Sequence, residues 1–351
     1  LKKIFLTLLI LSLLLPAAAL GQTVVDASAK RGIVPEKGLA NNPVIPGENM
    51  LTGLPTEAPY VPILVNIDNV SGAWPQWGIK DADIIYEMPI HGLSLTRLMG
   101  LFAYTHPEEV GPVRSGRVMH AEMREEWDAA WVFVGVQSKE GSDVNAALRR
   151  LGAREKDTNL IINGVTNKFA PYFKNMKGYK NPHNHSIDLA KVRDSVQEYA
   201  FPARPFLFTD ELPAGGDPAT RISLKYGSSG NSYTNSSYTY DAATKLYSRY
   251  RNDKPYEDRD QPGVPLTFSN VIVQWTTLKF NGAANAPLLT EVGEGNADIF
   301  MGGRHISGYW VRESATSRTV FYDQDGKEIR LQRGKTFINI TADRSTAVTY
   351  E

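Results

Sequence analysis

Cysteine is absent from all 351 residues. Its absence excludes disulfides, thiolate metal sites, a cysteine nucleophile and the lipidated cysteine of a bacterial lipoprotein. A surplus of either charge is missing too. Lys+Arg and Asp+Glu both number 38, so the net charge is zero and nothing pulls the whole chain toward nucleic acid. Any basic patch must be local. No apolar run after residue 15 has the length of a bilayer span, so no transmembrane segment is expected once an N-terminal signal is removed. Internal repeats are also missing.

Familiar catalytic patterns fail on context. Gly293-Glu-Gly295 resembles a fragment of a phosphate loop, yet no helix follows it, and it reads as a turn between strands. Ser94, Ser115 and Ser138 lack the flanking glycines of a nucleophile elbow, and Ser138-Lys139 are neighbours rather than helix-spaced. His183 and His185 could hold a metal from one extended segment, but no third ligand is indicated. The expectation is therefore no metal, no cofactor and no identifiable catalytic set.

The composition that is present, 42% hydrophobic and 22% charged, suits a folded protein with ample core. At this length two domains are the starting expectation. Residues 1–21 read as an export signal. Lys2 and Lys3 precede an apolar run from Ile4 to Leu15, and Pro16 and the small residues Ala17 to Ala19 and Gly21 follow. Residues 22–50, rich in Gly, Pro, Asn and Ala, read as a flexible spacer.

From Leu51 apolar strand-length runs appear: Val61 to Ile67, Asp83 to Met88, Leu95 to Phe102, Ala129 to Val136 and Asn159 to Asn163. Three helices interleave with them. One carries the stripe Met119, Met123, Trp127. A second is capped at Ser142-Asp143 and stopped by Gly152. The third opens at Ser186 and faces Leu189, Val192, Val196 and Tyr199 inward. After a Pro/Gly connector near 201–218, the chain alternates at period two, with Tyr-Ser-Asn stretches before Tyr240 reading as exposed hairpins. The pattern predicts an α+β (mixed α/β) protein. A layered sheet-and-helix domain at 51–205 precedes a β-rich domain at 219–351.

The polar residues fall at predicted strand ends: Asp68, Asn69, Glu87, Arg97, Arg114, Ser115, Arg117, His183 and Asn184. Arg114 and Arg117 flank the junction where strand gives way to helix at Ser115. A helix start favours anions, so two guanidiniums there call for a negative partner. That partner is either a ligand or an internal carboxylate, Asp68 or Glu87, pairing Arg97 and Arg114.

Several motifs in fixed order carry a resemblance. Pro62-Ile-Leu-Val-Asn-Ile-Asp-Asn69, Pro75-Gln-Trp-Gly78, Ala82-Asp-Ile-Ile-Tyr-Glu87, Thr96-Arg97, Gly111-Pro-Val-Arg-Ser115 and Asn181-Pro-His-Asn184 resemble the YerB-like (DUF3048) family of exported bacterial proteins. Gly293-Glu-Gly295, Gly302-Gly-Arg304, Gly308-Tyr-Trp310, Asp325-Gly326 and Gly334-Lys335 are similar to that family's second domain. The resemblance implies two domains and a location outside the cytoplasmic membrane, and it implies no established activity. Family members are often lipoproteins, and this sequence departs from that by lacking cysteine. The Arg97 strand, Pro-turn and Pro112-Val-Arg-Ser115 also resemble, locally, the LytR-CpsA-Psr phosphotransferases, which use arginines around a polyprenyl pyrophosphate.

The leading expectation is a non-catalytic binding or scaffold protein of the cell envelope, recognising a wall polymer, an anionic ligand or an envelope protein. Exposed-looking tyrosines in the β-rich half support recognition. The alternative is an enzyme acting on a phosphorylated envelope substrate through the arginines.

Overall fold

The computed structural model describes residues 21–29, 42–92, 95–153, 159–227, 235–281, 286–342 and 346–351. The expected export signal lies outside them, apart from Gly21.

The first segment contributes β1 (Ile63–Ile67), β2 (Ile84–His91) and β3 (Leu95–Phe102), then helix α1 (Val118–Trp127) and β4 (Ala130–Phe133). Helix α2 (Val144–Arg150), β5 (Ile161–Asn163) and helix α3 (Leu189–Val196) complete it. Beyond the connector come β6 (Arg221–Tyr226), β7 (Ser236–Asp241) and β8 (Leu246–Arg251). They are followed by β9 (Asn270–Trp275), β10 (Gly293–Met301), β11 (Arg304–Arg312), β12 (Thr336–Thr341) and β13 (Thr346–Tyr350).

One sheet of eleven strands forms the frame, running Asp217–Pro218, β11, β10, β9, β12, β2, β3, β1, β4, β5, with Val320–Tyr322 paired to β11. Its middle joins the two halves of the sequence: β12 lies parallel to β9 on one side and to β2 on the other. Continuous apolar runs such as Ile63-Leu-Val suit strands covered on both faces. On one face α1 and α2 pack Met119, Met123, Trp127, Val144 and Leu148 against Leu64, Ile84, Met99 and Ile338. On the other, a smaller antiparallel sheet built on β13, β6, β7 and β8 packs Ile222, Leu224, Tyr238 and Tyr247 against Ile85, Val271 and Phe337. Helix α3 joins this second core through Leu189, Val192 and Val196.

The balance of elements is more β than expected, with 42% strand against 13% helix, and the sheet crosses the connector. Other expectations shift locally. Asp143 caps α2, accepting from the N–H groups of Asn145 at 2.8 Å and Ala146 at 3.3 Å. Asp188 rather than Ser186 caps α3, because Ser186 lies in a short strand, and Tyr199 falls beyond the helix, 39% exposed. Gly293-Glu-Gly295 starts β10 instead of making a turn. The spacer is held at both described ends: Thr23–Val24 pairs β13, and Asn49 donates to Asp83 at 2.7 Å. Within the expected exposed hairpins, residues 228–234 lie outside the described ones. Beyond them, Tyr238 is fully buried, as are Tyr226 and Tyr247. Aromatic rings at alternate positions face the neighbouring sheet here, so Tyr226, Tyr238 and Tyr247 are core rather than recognition surface, while Tyr240 is half-buried and Tyr233 lies outside the described residues.

Candidate functional site

Three strand ends meet in the central sheet. β1 finishes, and β2 passes, beside the start of β3, with Ile67 and Glu87 both opposite Leu98. Successive side chains alternate between faces. Asn66, Asp68 and Arg97 therefore point toward α1, while Asn69, Glu87 and Thr96 point toward the second sheet. One row of polar residues thus supplies two linked clusters.

On the helix side the fully buried Asp68 is the hub. One carboxylate oxygen accepts from Arg97 Nη2 at 3.4 Å and from the backbone N–H of Asn69 at 3.0 Å. The other accepts from Arg114 Nε at 3.0 Å and from His183 Nδ1 at 2.6 Å. The carbonyl of Ser115 gathers a second group of donors: Arg97 Nη1 at 2.8 Å, Asn66 Nδ2 at 3.2 Å and Arg117 Nη1 at 3.5 Å. Arg117 also donates to the Gly116 carbonyl at 2.9 Å. No carboxylate pairs with it among the described residues.

The helix begins at Val118, later than expected, with Arg117 at the cap position. His120, one turn in, reaches back. Its Nδ1 accepts the Arg117 N–H at 3.1 Å and an Asn66 Nδ2 hydrogen at 2.8 Å. Two donors on Nδ1 fix the proton on Nε2, which is buried without a partner. Burial, then Arg97 and Arg117, push His120 well below the usual histidine range, so it is neutral.

On the sheet side the fully buried Glu87 accepts from Thr96 Oγ1 at 2.6 Å and Asn69 Nδ2 at 3.0 Å. Its other oxygen takes Arg249 Nη2 at 2.7 Å. Glu87 thus pairs with an arginine from β8, not with Arg97 or Arg114. Arg249 lies over Tyr256 at 3.9 Å and Phe337 at 4.7 Å. Arg251, two residues on along the same face, sits over Trp74 at 4.0 Å and Tyr256 at 4.3 Å. It donates through Nη2 to Asn69 Oδ1, while its Nε and Nη1 are buried and unpartnered. Tyr256 donates to the same Asn69 oxygen at 3.1 Å. Gln76 links the clusters by donating to the Asp68 carbonyl at 2.9 Å.

The charge balance follows from these contacts. Arg97, Arg114, Arg117, Arg249 and Arg251 have only Asp68 and Glu87 as carboxylate partners among the described residues. Burial, with Arg117 and Arg114 adding to it and Asp68 opposing, lowers Arg97 to about 9. Burial lowers Arg251 to about 10, and burial with Arg114 lowers Arg117. All three remain charged at neutral pH in surroundings that resist the charge.

The expected residues divide accordingly. Asp68, Arg97, Arg114, Ser115, Arg117 and His183 come together, Ser115 through its carbonyl rather than its hydroxyl. Asn69 and Glu87 lie on the opposite face of the same strand ends. Asn184 stands apart, its Nδ2 3.5 Å from Asn175 Oδ1. His183 and His185 do not converge on a third ligand, and no group of three or more His, Asp or Glu side chains suited to a metal occurs among the described residues. Sequence reasoning missed Gln76, His120, Arg249, Arg251 and Tyr256. The available signal was the alternation Tyr247, Arg249, Arg251, which places two arginines on a strand's inward face.

Comparison with known proteins places the chain. Residues 51–201 match the N-terminal domain of "Protein of unknown function (DUF3048)", and residues 222–338 match its C-terminal domain. The chain is 26% identical over 306 residues to the protein named "Putative lipoprotein YerB" of Bacillus subtilis (strain 168), covering 85% of this chain and 87% of that one. The crystal structure of the YerB protein from Bacillus subtilis shares the fold, with a TM-score of 0.70 at 24% identity over 86% of this chain and 99% of that chain. With both domains matched in order, the chain belongs to the YerB-like DUF3048 family.

Proposed function

We propose that the protein is an exported component of the bacterial cell envelope. It recognises a phosphate-type anionic group, carried by a wall polymer or an envelope protein, at the cluster formed by Arg97, Arg114 and Arg117. The observation that carries this reading is the excess of arginine over carboxylate at the strand ends. Buried charges are normally paired, because an uncompensated one costs several kcal/mol, and an anion bound beside Arg114 and Arg117 would supply the balance. Arg114 and His183 give access, with side chains 26% and 25% exposed. Planar guanidiniums suit phosphate oxygens. Envelope placement rests on the signal-like residues 1–21 and on the name of the Bacillus relative. No helix among the described residues is long and apolar enough to cross a membrane.

Titration calorimetry with inorganic phosphate and inorganic diphosphate tests the reading. Saturable binding that weakens with added salt is expected, and Arg117→Ala should abolish it while leaving the melting temperature nearly unchanged. Absence of binding by the unaltered protein, or full binding by Arg117→Ala, overturns it.

A further inference from the structure

His183 has a feature that anion recognition alone does not require. Its Nδ1 meets a carboxylate oxygen of Asp68 at 2.6 Å, and a carboxylate can only accept. The ring proton therefore sits on Nδ1, and Nε2 of the neutral ring carries a lone pair. Nε2 has no hydrogen-bond partner among the described residues, and the side chain is 25% exposed. The same Asp68 oxygen holds Arg114 through Nε at 3.0 Å, so the imidazole and the guanidinium lie side by side. Both Nη groups of Arg114 are likewise without a partner among the described residues. Gly72 backs the ring edge. A Cβ there would lie 3.2 Å from Cδ2 and 3.7 Å from Nε2 of His183, so glycine keeps this edge uncrowded.

An imidazole oriented by a buried carboxylate, with a free nitrogen beside an arginine, is equipped to attack an electrophile that carries negative charge. Among the described residues no side-chain hydroxyl is bonded to Nε2, so none is there for the ring to activate, and the ring is itself the nucleophile on offer. We infer that His183 Nε2 accepts a phosphoryl group from a phosphoric anhydride bound at the arginine cluster. This rests on the anion-site reading above.

The Nε2 lone pair forms a bond to phosphorus as the bridging P–O bond breaks, and its electron pair leaves on the departing phosphate. Asp68 stabilises the positive charge that develops on the ring. Water then attacks phosphorus, the P–N electron pair returns to Nε2, and the water's proton leaves with the released phosphate. The anhydride class follows from the leaving group. Phosphate departs as a stable anion and needs no proton, whereas an alkoxide would need an acid placed at the leaving oxygen.

The test uses the full chain with inorganic diphosphate. Phosphate release is followed, and the protein is quenched in alkali for mass spectrometry, since a phosphoryl group on histidine is lost in acid. Binding of methylenediphosphonate, which has no bridging oxygen to cleave, is measured in parallel by calorimetry. His183→Asn keeps an N–H for Asp68 but removes the nucleophile. The expected outcome is an adduct on His183 and phosphate release in the unaltered protein. His183→Asn should bind the diphosphonate within about threefold of the unaltered protein, form no adduct and release phosphate roughly 100-fold more slowly. Binding without release, release by His183→Asn at the unaltered rate, or His183-dependent release that leaves no adduct at any quench time overturns the covalent step alone. Failure of the diphosphonate to bind at all removes the anion reading with it.

Discussion

At the scale of single residues, the arginines at the strand ends do different work although they look alike in sequence. Arg97 is held in the interior by Asp68 and the Ser115 carbonyl. Removing the charge of Asp68 would strand it. Asp68→Asn should cost about 3–5 kcal/mol, the range for breaking a buried ion pair. Arg114→Ala leaves Asp68 its bonds to Arg97 and His183, and because Arg114 is partly solvated the loss should be about 1 kcal/mol. Arg117→Ala breaks no ion pair, loses the bonds to the Ser115 and Gly116 carbonyls and removes a half-buried unpaired charge, so it should cost about 1 kcal/mol or less. Denaturant unfolding of the three variants checks the ranking, and equal losses for Asp68→Asn and Arg117→Ala would contradict it. The sequence exposed Asp68, Arg97, Arg114 and Arg117 because they sit where apolar runs stop. It concealed Arg249 and Arg251 because hydropathy assigns arginine to the surface, whereas stacking on Tyr256 and Trp74 makes their burial tolerable.

At the scale of elements, strands with continuous apolar runs were legible, and so were the stripe of α1 and the stop of α2 at Gly152. Pairing partners were not, because β12 follows β2 by most of the chain and local periodicity carries no information about distant neighbours. The seam between α1 and the sheet shows another hidden feature. Arg312 of β11 lies 3.3 Å from Glu126 of α1 and 3.9 Å from Glu291, both buried. Burial first, then Glu122, raise Glu291 well above the usual carboxylate range, with Arg312 acting in the opposite direction. Glu291 is therefore protonated in the fold at pH values where the unfolded chain has already released that proton. Its contribution to stability is largest below the ordinary glutamate value, near 4.5, and is lost as pH rises above it. Glu291→Gln removes that loss. Its melting temperature should exceed that of the unaltered protein by a margin that grows as pH rises above the ordinary glutamate value. A margin that shrinks with rising pH would mean that Glu291 is ionised and paired in the fold.

At the scale of the whole molecule, the two matched family domains share one frame. The connector is the natural site of cleavage, since Glu211, Leu212 and Ala214 to Gly216 are exposed. We expect limited proteolysis to cut there without separating the pieces, because β12 pairs β2 and both faces of the sheet draw side chains from each half. Size-exclusion chromatography of the nicked protein should give one peak at the intact mass, and two separable folded fragments would show that the halves are independent. A change from helix-bearing texture to alternation was visible near the connector. The shared sheet was not, because the residues that join it are ordinary strand formers on both sides.

The position of β12 also bears on the order in which the chain can fold. A strand inserted between β9 and β2 completes the sheet at its middle rather than its edge, and it is synthesised long after β2. Until residue 341 has emerged, β2 keeps one side unpaired, and the first half of the chain has no closed structure to settle into. The stable state of a polypeptide made in this order becomes available only once the late strand has been made.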